Sequence, residues 1–292
     1  MVSQFPWPGN SRVAVCLTWD VDGESAHYAR APERARNQLS ELHQRAYGPR
    51  RGIWKVLSLL RKHSIPGTFY VPAYTAGIYP DVMKAIVECG HPIGLHGYMH
   101  ETLDTLDKCA EEEVLVRAKT ILTRVAGYEP TLYRAPSCEL NRWTPELLVR
   151  HGILSDASLM DDDVPYALET NAGPLVEVPF QWLLDDYPFW GFSRLNRDKS
   201  IADPEAVFNI WKHEFDGAYG SGGCFVLTLH PFISGRWTCL YALECLIEYA
   251  KMRPDVWWTT VADVTQHART LLEEGRLERR SSPPPEPVRF SL

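Results

Sequence analysis

The sequence has no apolar run long enough to span a bilayer, and its first twelve residues lack the basic and apolar segments of an export signal. These absences argue against a membrane or exported protein, so we expect a soluble, cytoplasmic one. The 30 Lys and Arg residues are scattered rather than arranged in a stripe, and the formal net charge is -7. Because nucleic-acid binding depends on a basic surface, the sequence predicts neither a nucleic-acid nor a membrane partner.

CxxC pairs are also absent among the seven cysteines, several of which lie in apolar segments. This pattern favours free, buried thiols and a reducing compartment. No internal repeat or low-complexity block occurs before the last dozen residues, SSPPPEPVRFSL. We therefore expect a single domain over residues 1–280, large enough for a substantial core, and a proline-rich tail over 281–292.

Short apolar runs typical of strands alternate with segments of helical periodicity along most of the chain. The run RVAVCLTW (12–19) precedes a helical segment (52–65) in which apolar residues recur at helical spacing. Eight candidate strands alternate with helices in this way. The alternation predicts a parallel sheet with helices outside it, and the number of strands is sufficient for a closed barrel.

Polar residues of unusual kinds follow four of the candidate strands. Because the carboxyl ends of parallel strands meet at one edge of a sheet, we expect these side chains to share a site. In chain order they are Asp20 and Asp22 after the first strand, His96 and His100 after PIGL, Arg134 after TLY, and His230 after CFVLTL.

Crowded carboxylates in the segment TWDVDGE (18–24) suggest a metal site. Like charges at a strand end are costly unless a cation compensates them, and one carboxylate with two imidazoles is a common set of ligands for a divalent metal. HGYMH places two histidines four residues apart, a spacing at which a helical turn or tight loop directs both at one point. Asp22, His96 and His100 would leave one coordination position open, which favours catalysis.

Each of these features also has a purely structural explanation. A His pair at this spacing occurs by chance on many helix faces, and an Asp at a strand end often caps a turn. An arginine that precedes Ala-Pro, as Arg134 does, more often forms a surface ion pair than a catalytic contact. His230 is equally consistent with a hydrogen-bonded histidine in the core. The position of all four groups at the same end of successive strands favours the functional interpretation.

The ordered set of motifs resembles that of the polysaccharide deacetylase (NodB-homology, carbohydrate esterase family 4) superfamily. The motifs are WDVD, HGYMH, YRAPS, SDASLMDDD and VLTLHP, and the resemblance extends from about residue 12 to about residue 265. It implies an α/β fold, a distorted (β/α) barrel of seven or eight strands.

The same resemblance implies roles for the site residues. Asp20 is expected to be the catalytic base, oriented by Arg134, and His230 the catalytic acid. The ligands of a divalent metal, usually Zn²⁺ in this superfamily, are expected to be Asp22, His96 and His100.

Two departures from the usual motifs narrow the predicted substrate. Val21 separates the two acids, which are normally adjacent, and Ser137 follows Pro136 where an aromatic residue is usual. The segments WDVDGE, SLMDDDVPY and VEVPFQWLLDDYP are more similar to a branch that includes cyclic imide hydrolases, allantoinase-like enzymes and atypical peptidoglycan deacetylases. With a cytoplasmic location, they predict a metal-dependent amidohydrolase that opens a small cyclic amide, either an imide or a ureide. The alternatives are N-deacetylation of an amino sugar polymer and, more distantly, a non-catalytic binding barrel.

Several further residues are predicted to contact the substrate. Tyr98 and Trp182 are aromatic residues near the expected mouth of the barrel, although such residues more often lie in a core or subunit interface. The backbone N–H of Tyr133 is a candidate oxyanion donor, and Pro136 of the same YRAPS motif is a candidate substrate contact. Asp185 is a candidate partner for an N–H group of a substrate ring. Alternatively, Asp185 and Asp186 are solvated loop acids.

The segment 25–51 is longer than an ordinary strand-to-helix connection. A connection of this length predicts a lid over the site or a contact between subunits. We therefore expect a homo-oligomer.

Overall fold

The computed structural model describes residues 5–195 and 199–281, and its described strands form one sheet. The described strands are β1 (Val13–Asp20), β2 (Thr68–Val71), β3 (Ile93–Leu95), β4 (Leu132–Tyr133), β5 (Ser155–Asp156), β6 (Tyr166–Thr170), β7 (Gly173–Glu177), β8 (Cys224–Leu229), β9 (Val256–Thr259) and β10 (Arg279–Ser281).

Most of the described helices follow a strand and pack outside the sheet. They are α1 (Ser25–Arg30), α2 (Leu39–Tyr47), α3 (Ile53–His63), α4 (Ala73–Ile78), α5 (Pro80–Glu88), α6 (Lys108–Ala126), α7 (Thr144–Arg150), α8 (Tyr187–Trp190), α9 (Pro204–Ser221), α10 (Pro231–Ser234), α11 (Trp237–Lys251) and α12 (Val261–Glu273). None of these described helices combines the length and the apolar composition needed to cross a membrane.

Strand β1 lies at the centre of the fold, and all eight of its residues are buried. It pairs in parallel with β8 along one edge, and with β9 and then β2 along the other. Val15, Leu17 and Trp19 belong to the larger of two apolar clusters, whereas Ala14 and Cys16 belong to the smaller. A parallel strand buried on both faces requires a continuous apolar sequence, which explains the run VAVCL.

The sheet follows the order β10-β6-β7-β5-β4-β3-β2-β1-β8, with β9 beside β1. Its pairs are parallel except for the β6–β7 hairpin. Within the described residues, β8 pairs with the segment after β7 only through an isolated parallel β-bridge between Asp185 and Thr228. The seam at which the sheet would close, between β8 and this segment, is therefore nearly without strand pairing. The architecture is a distorted barrel of the predicted kind, with a discontinuous ladder at one seam.

In the described part of the chain ten strands are observed, where the sequence predicted eight. The additional strands, β6 and β10, lie at one end of the sheet and pair with each other in parallel. Strand β10 has the sequence Arg-Arg-Ser, which carries no apolar periodicity from which a strand is predicted. This pairing extends the sheet through Ser281, one residue past the predicted domain boundary. The rest of the predicted tail lies outside the described residues.

The terminal residues of helix α6 show how local sequence sets an element's bounds. Asp107 accepts a hydrogen bond from the backbone N–H of Ala110 at 2.9 Å, which caps the first turn. Gly127 follows the last turn with φ of 78°, a left-handed conformation that glycine adopts without steric cost. Between them α6 runs for 19 residues.

The carboxyl ends of β1, β3, β4 and β8 meet at one edge of the sheet. The long connection after β1 folds into α1 and α2, continues through a π-helical turn (Gly48–Gly52) and enters α3. This turn packs tightly on α10, because a Cβ at Gly52 would lie 1.9 Å from the carbonyl oxygen of Pro231. The connection is thereby held beside the strand that ends at His230.

Candidate active site

Asp22, His96 and His100 are the first group brought together at this edge. Nε2 of His96 lies 3.6 Å from one carboxylate oxygen of Asp22, and Nε2 of His100 lies 3.8 Å from the other. The two imidazole rings are 4.9 Å apart and nearly perpendicular. All three side chains are buried, and their potential ligand atoms lie within 4.8 Å of one another. This spacing suits three ligands of one ion.

A tight loop, not a helical turn, directs the two histidines to this point. Gly97 has φ of 70° and His100 has φ of 66°, so both residues are left-handed. A Cβ at Gly97 would lie 3.1 Å from Cγ of Pro136 and 2.9 Å from a carboxylate oxygen of Glu101. Glu101 accepts hydrogen bonds from the backbone N–H groups of Tyr98 (2.9 Å) and Met99 (2.8 Å). These bonds fix the loop from outside the site.

His96 is oriented by a backbone group of the neighbouring strand end. Its Nδ1 lies 2.8 Å from the carbonyl oxygen of Arg134, which can only accept, so Nδ1 carries the proton and Nε2 presents a lone pair. Nε2 of His96 and Oδ1 of Asp22 are both buried without a hydrogen-bond partner. Buried polar atoms are rarely left unpaired. Two such atoms facing each other fit a divalent cation between them.

Protonation states at these residues also suit a metal. Burial tends to raise the pKa of Asp22, but the nearby imidazoles of His100, His230 and His96 lower it below its usual value. Burial lowers the pKa of His100 to about 3, against the opposing charge of Asp22. Asp22 is therefore an anion and His100 is neutral near pH 7, as metal coordination requires.

Asp20 lies beside this group and is held by Arg134. One oxygen of Asp20 accepts a hydrogen bond from Nη1 of Arg134 at 2.9 Å, and the other lies 3.8 Å from Nε2 of His96. Arg134 is fully buried; Nη1 also donates to Oγ1 of Thr18, and Nε donates to the carbonyl oxygen of Ala157. Its guanidinium group stacks 4.4 Å from the ring centroid of Tyr70. The carboxylate is thus fixed in direction and compensated in charge.

His230 is held by Asp186, a residue that was not predicted to act in catalysis. Nδ1 of His230 lies 2.8 Å from one oxygen of Asp186, whose other oxygen accepts the backbone N–H of His230 at 2.9 Å. Burial tends to lower the pKa of His230, but the charge and hydrogen bond of Asp186 outweigh this effect and raise the pKa to about 10. The imidazole therefore carries a proton at neutral pH. Its Nε2 lies 3.9 Å from Asp22.

Asp185 and Asp186 are buried, which contradicts their interpretation as solvated loop acids. Asp185 accepts the backbone N–H of Tyr187 at 2.7 Å and lies 3.8 Å from Nδ1 of His230. Burial, reinforced by the charge of Asp186, raises the pKa of Asp185 to about 7, while His230 opposes the rise. Asp185 is therefore able to accept or donate a hydrogen bond near neutral pH. The apolar neighbours in WLLDDYP were the available signal of burial.

A cavity of about 250 Å³ opens onto these groups. It is lined by Asp20, Asp22, Arg30, Arg45, His96, His100, Ser137, Cys138, Trp182, Asp185, Tyr187 and His230. Of the predicted residues, Arg134 lies behind Asp20, outside this lining. Trp182 stands at the rim with 46% of its surface exposed. Arg30, Arg45 and Tyr187 were not predicted from the sequence.

Three predicted substrate contacts do not line this cavity. Tyr98 is turned outward, where its hydroxyl accepts a hydrogen bond from Arg117 at 2.9 Å. The side chain of Tyr133 is buried in the larger apolar cluster, and the predicted role of its backbone N–H as an oxyanion donor stays a prediction. Pro136 is buried beneath Gly97. Ser137 and Cys138, the next two residues, reach the cavity instead.

Comparisons with known proteins agree with this geometry. Residues 46–154 match the family described as polysaccharide deacetylase. The peptidoglycan deacetylase of Helicobacter pylori is 30% identical over 240 residues, which cover 73% of this chain and 82% of that protein. A Mycobacterium smegmatis structure, described as a polysaccharide deacetylase, matches over 98% of both chains with a TM-score of 0.92 and 36% identity. The Puue allantoinase structure matches with a TM-score of 0.78 and 27% identity, over 90% of this chain and 92% of that one.

Proposed function

Since this chain belongs to the polysaccharide deacetylase family, we propose that it is a metal-dependent hydrolase of carbon–nitrogen amide bonds. The family membership confirms the resemblance noted in the ordered motifs. One observation carries the proposal: Nε2 of His96 and Oδ1 of Asp22 face each other, buried and unpartnered, with His100 beside them. These three residues would hold a divalent metal, for which zinc suits the nitrogen-rich ligand set.

The chain's own residues supply the acid and the base. A bound metal polarises the scissile carbonyl and lowers the pKa of water. Asp20, held by Arg134, takes the proton of the attacking water. His230, kept protonated by Asp186, gives a proton to the departing nitrogen. Base and acid approach the Asp22 carboxylate from different strand ends, which allows them to act on opposite sides of one carbonyl carbon.

The preferred substrate class is an N-acetylated amino sugar, the alternative that the sequence left open. The names of the Helicobacter pylori and Mycobacterium smegmatis proteins support N-deacetylation. A small cyclic amide is the second candidate, supported by the similarity to Puue allantoinase and by a cavity of about 250 Å³, which suits a small ring better than several sugar units. The cytoplasmic location and the homo-oligomer stay predictions.

A side-by-side assay of the purified protein tests this proposal. We would measure acetate release from N-acetylglucosamine oligomers and ring opening of succinimide, hydantoin and allantoin, with chelator-treated protein as the control. Acetate release that requires the metal supports deacetylation, and metal-dependent ring opening alone supports the cyclic amide. Hydrolysis of none of these substrates by metal-loaded protein would count against both candidates.

A further inference from the structure

Arg45 lines the active-site cavity, and among the described residues it forms no ion pair. It lies on α2, within the long connection after β1, and only 5% of its surface is exposed. Its Nε is buried without a hydrogen-bond partner. Its charge acts on the Asp22 carboxylate across the cavity, but within the described part of the chain no carboxylate oxygen lies within ion-pair distance of its guanidinium group. A buried positive charge is thus directed at a cavity.

This arrangement is costly unless an anion completes it. A buried charge is destabilising when it is neither paired nor fully hydrogen-bonded. The ring of Phe232, 5.2 Å from the guanidinium carbon, provides a cation–π contact but accepts no conventional hydrogen bond from Nε. Glu41 lies one turn earlier on the same helix, yet its Oε1 accepts the backbone N–H of Arg194 instead. The missing partner is therefore expected to come from a ligand.

Arg30 and Tyr187 extend the same positive region. Nη1 of Arg30 donates to the hydroxyl of Tyr187 at 3.3 Å. Although burial opposes it, the charges of Arg45 and Arg30 lower the pKa of the Tyr187 phenol. The Tyr187 ring lies 5.5 Å from the ring of His230. The positive region therefore adjoins the catalytic acid, on the side where the departing nitrogen receives its proton.

We propose that Arg45, with Arg30 and the Tyr187 hydroxyl, binds a carboxylate of the substrate attached to the departing-nitrogen side of the scissile bond. This inference rests on the proposed amide hydrolysis and defines its substrate class more closely. Arginine binds carboxylates through directional, charge-assisted hydrogen bonds, which suits a selective contact. Both candidate classes have carboxylate-bearing members, namely amino sugars with a lactyl ether and cyclic amides with a carboxymethyl arm.

Matched substrates test the proposal. We would compare kcat/KM for N-acetylmuramic acid and its carboxamide, and for 3-carboxymethylhydantoin, which carries its carboxylate arm on the departing ring nitrogen, and its carboxamide. The wild-type protein is expected to prefer the carboxylate member of the pair it hydrolyses by about tenfold or more, from the loss of a charge-assisted hydrogen bond. Arg45→Met is expected to remove this preference, because it lowers kcat/KM for the carboxylate substrate much more than for the carboxamide. Equal kcat/KM within each pair, or an equal effect of Arg45→Met on both members, would overturn the proposal while leaving amide hydrolysis intact.

Two further variants control for folding. Arg36→Met removes an exposed arginine of the same connection and is expected to keep the preference. Arg45→Lys keeps the charge but not the fork of donors, so it is expected to restore part of the preference lost in Arg45→Met. If Arg45→Met melts at a much lower temperature than wild type, Tyr187→Phe is used in its place. This variant is expected to reduce the preference for the carboxylate substrate by a smaller factor. The assignment would be contradicted if Arg36→Met lost the preference for the carboxylate substrate. It would also be contradicted if both Tyr187→Phe and Arg45→Lys kept that preference in full.

Calorimetric binding to metal-loaded Asp20→Asn protein separates failure of this inference from failure of the proposed function. The carboxylate member is expected to bind more tightly than its carboxamide, and Arg45→Met in the same background to abolish the difference. This readout does not require turnover. It also distinguishes a carboxylate held by Arg45 from one that only coordinates the metal, because the second case would be insensitive to Arg45→Met.

Discussion

The two sides of the active-site cavity differ in how their charges are compensated. On the strand side, Asp20 is paired with Arg134, and the unpartnered atoms of Asp22 and His96 face one another. On the connection side, Arg45 is buried and forms no ion pair within 4 Å among the described residues. In the proposed assignment, the strand side would hold a cation and the connection side would accept an anion. Reaction chemistry and substrate choice are thereby assigned to different parts of the chain.

The largest effect is expected from His96→Ala, which removes a ligand from the strand side. Because two ligands bind a divalent metal far more weakly than three, both bound metal and hydrolysis should fall to background. Metal content and turnover of the purified variant check this. If His96→Ala bound metal as wild type does, the proposed ligand set would be wrong.

Asp20→Asn separates catalysis from metal binding on the same side. The amide cannot take the proton of water, so turnover is expected to fall by about 10²- to 10⁴-fold while metal content is unchanged. The hydrogen bond from Arg134 to the side-chain oxygen is expected to persist, which keeps the fold intact. Full activity in this variant would remove Asp20 from the role of base.

Asp186→Asn is expected to have a smaller effect that depends on pH. Asp186 raises the pKa of His230, so the imidazole stays protonated until pH rises through about 10. Loss of the carboxylate lowers that pKa, and the alkaline limb of kcat should shift to lower pH, with a decrease of about 10- to 100-fold at neutral pH. A pH–rate profile measures both. An unshifted alkaline limb would show that His230 is not the acid that limits the rate.

The raised pKa of His230 also contributes to stability. This contribution is fully present below the unfolded pKa of about 6.5 and is lost as pH rises through the folded value of about 10. The free energy of unfolding of wild type should therefore decline between these pH values more than that of Asp186→Asn. Parallel denaturant titrations at several pH values compare the two proteins.

The smallest effect is expected from Trp182→Ala at the rim between the two sides. The side chain is 46% exposed, so its loss removes part of an apolar contact but no polar one. KM is expected to rise a few-fold with kcat unchanged, as measured by steady-state kinetics. A large fall in kcat would instead place Trp182 at the reacting atoms.

The strand side was predictable from the sequence, and the connection side was not. Asp20, Asp22 and His230 follow apolar runs, and parallel strand ends converge by geometry alone. Arg45 lies in LSELHQRAY, an ordinary polar helix whose sequence does not reveal that it folds back over the strand ends. Its burial depends on contacts distant in sequence, such as those between the π-helical turn and α10.

Side-chain direction was the second limit on prediction. Tyr98 and Pro136 belong to the right motifs, yet the Tyr98 hydroxyl points to Arg117 and Pro136 is buried beneath Gly97. A motif fixes which residues are near a site, but the left-handed backbone at Gly97 and His100 decides which of them face it. That conformation depends on the packed loop, including the carboxylate of Glu101.

The most direct test of the central claim is a titration of chelator-stripped wild-type protein with zinc, in which metal occupancy and amide hydrolysis are followed together. One metal ion per chain is expected to bind, and turnover should rise in proportion to occupancy and saturate with it. The same titration of Asp22→Asn should show weak binding and background turnover. Full hydrolysis by the metal-free protein, or unchanged metal binding by Asp22→Asn, would contradict the account.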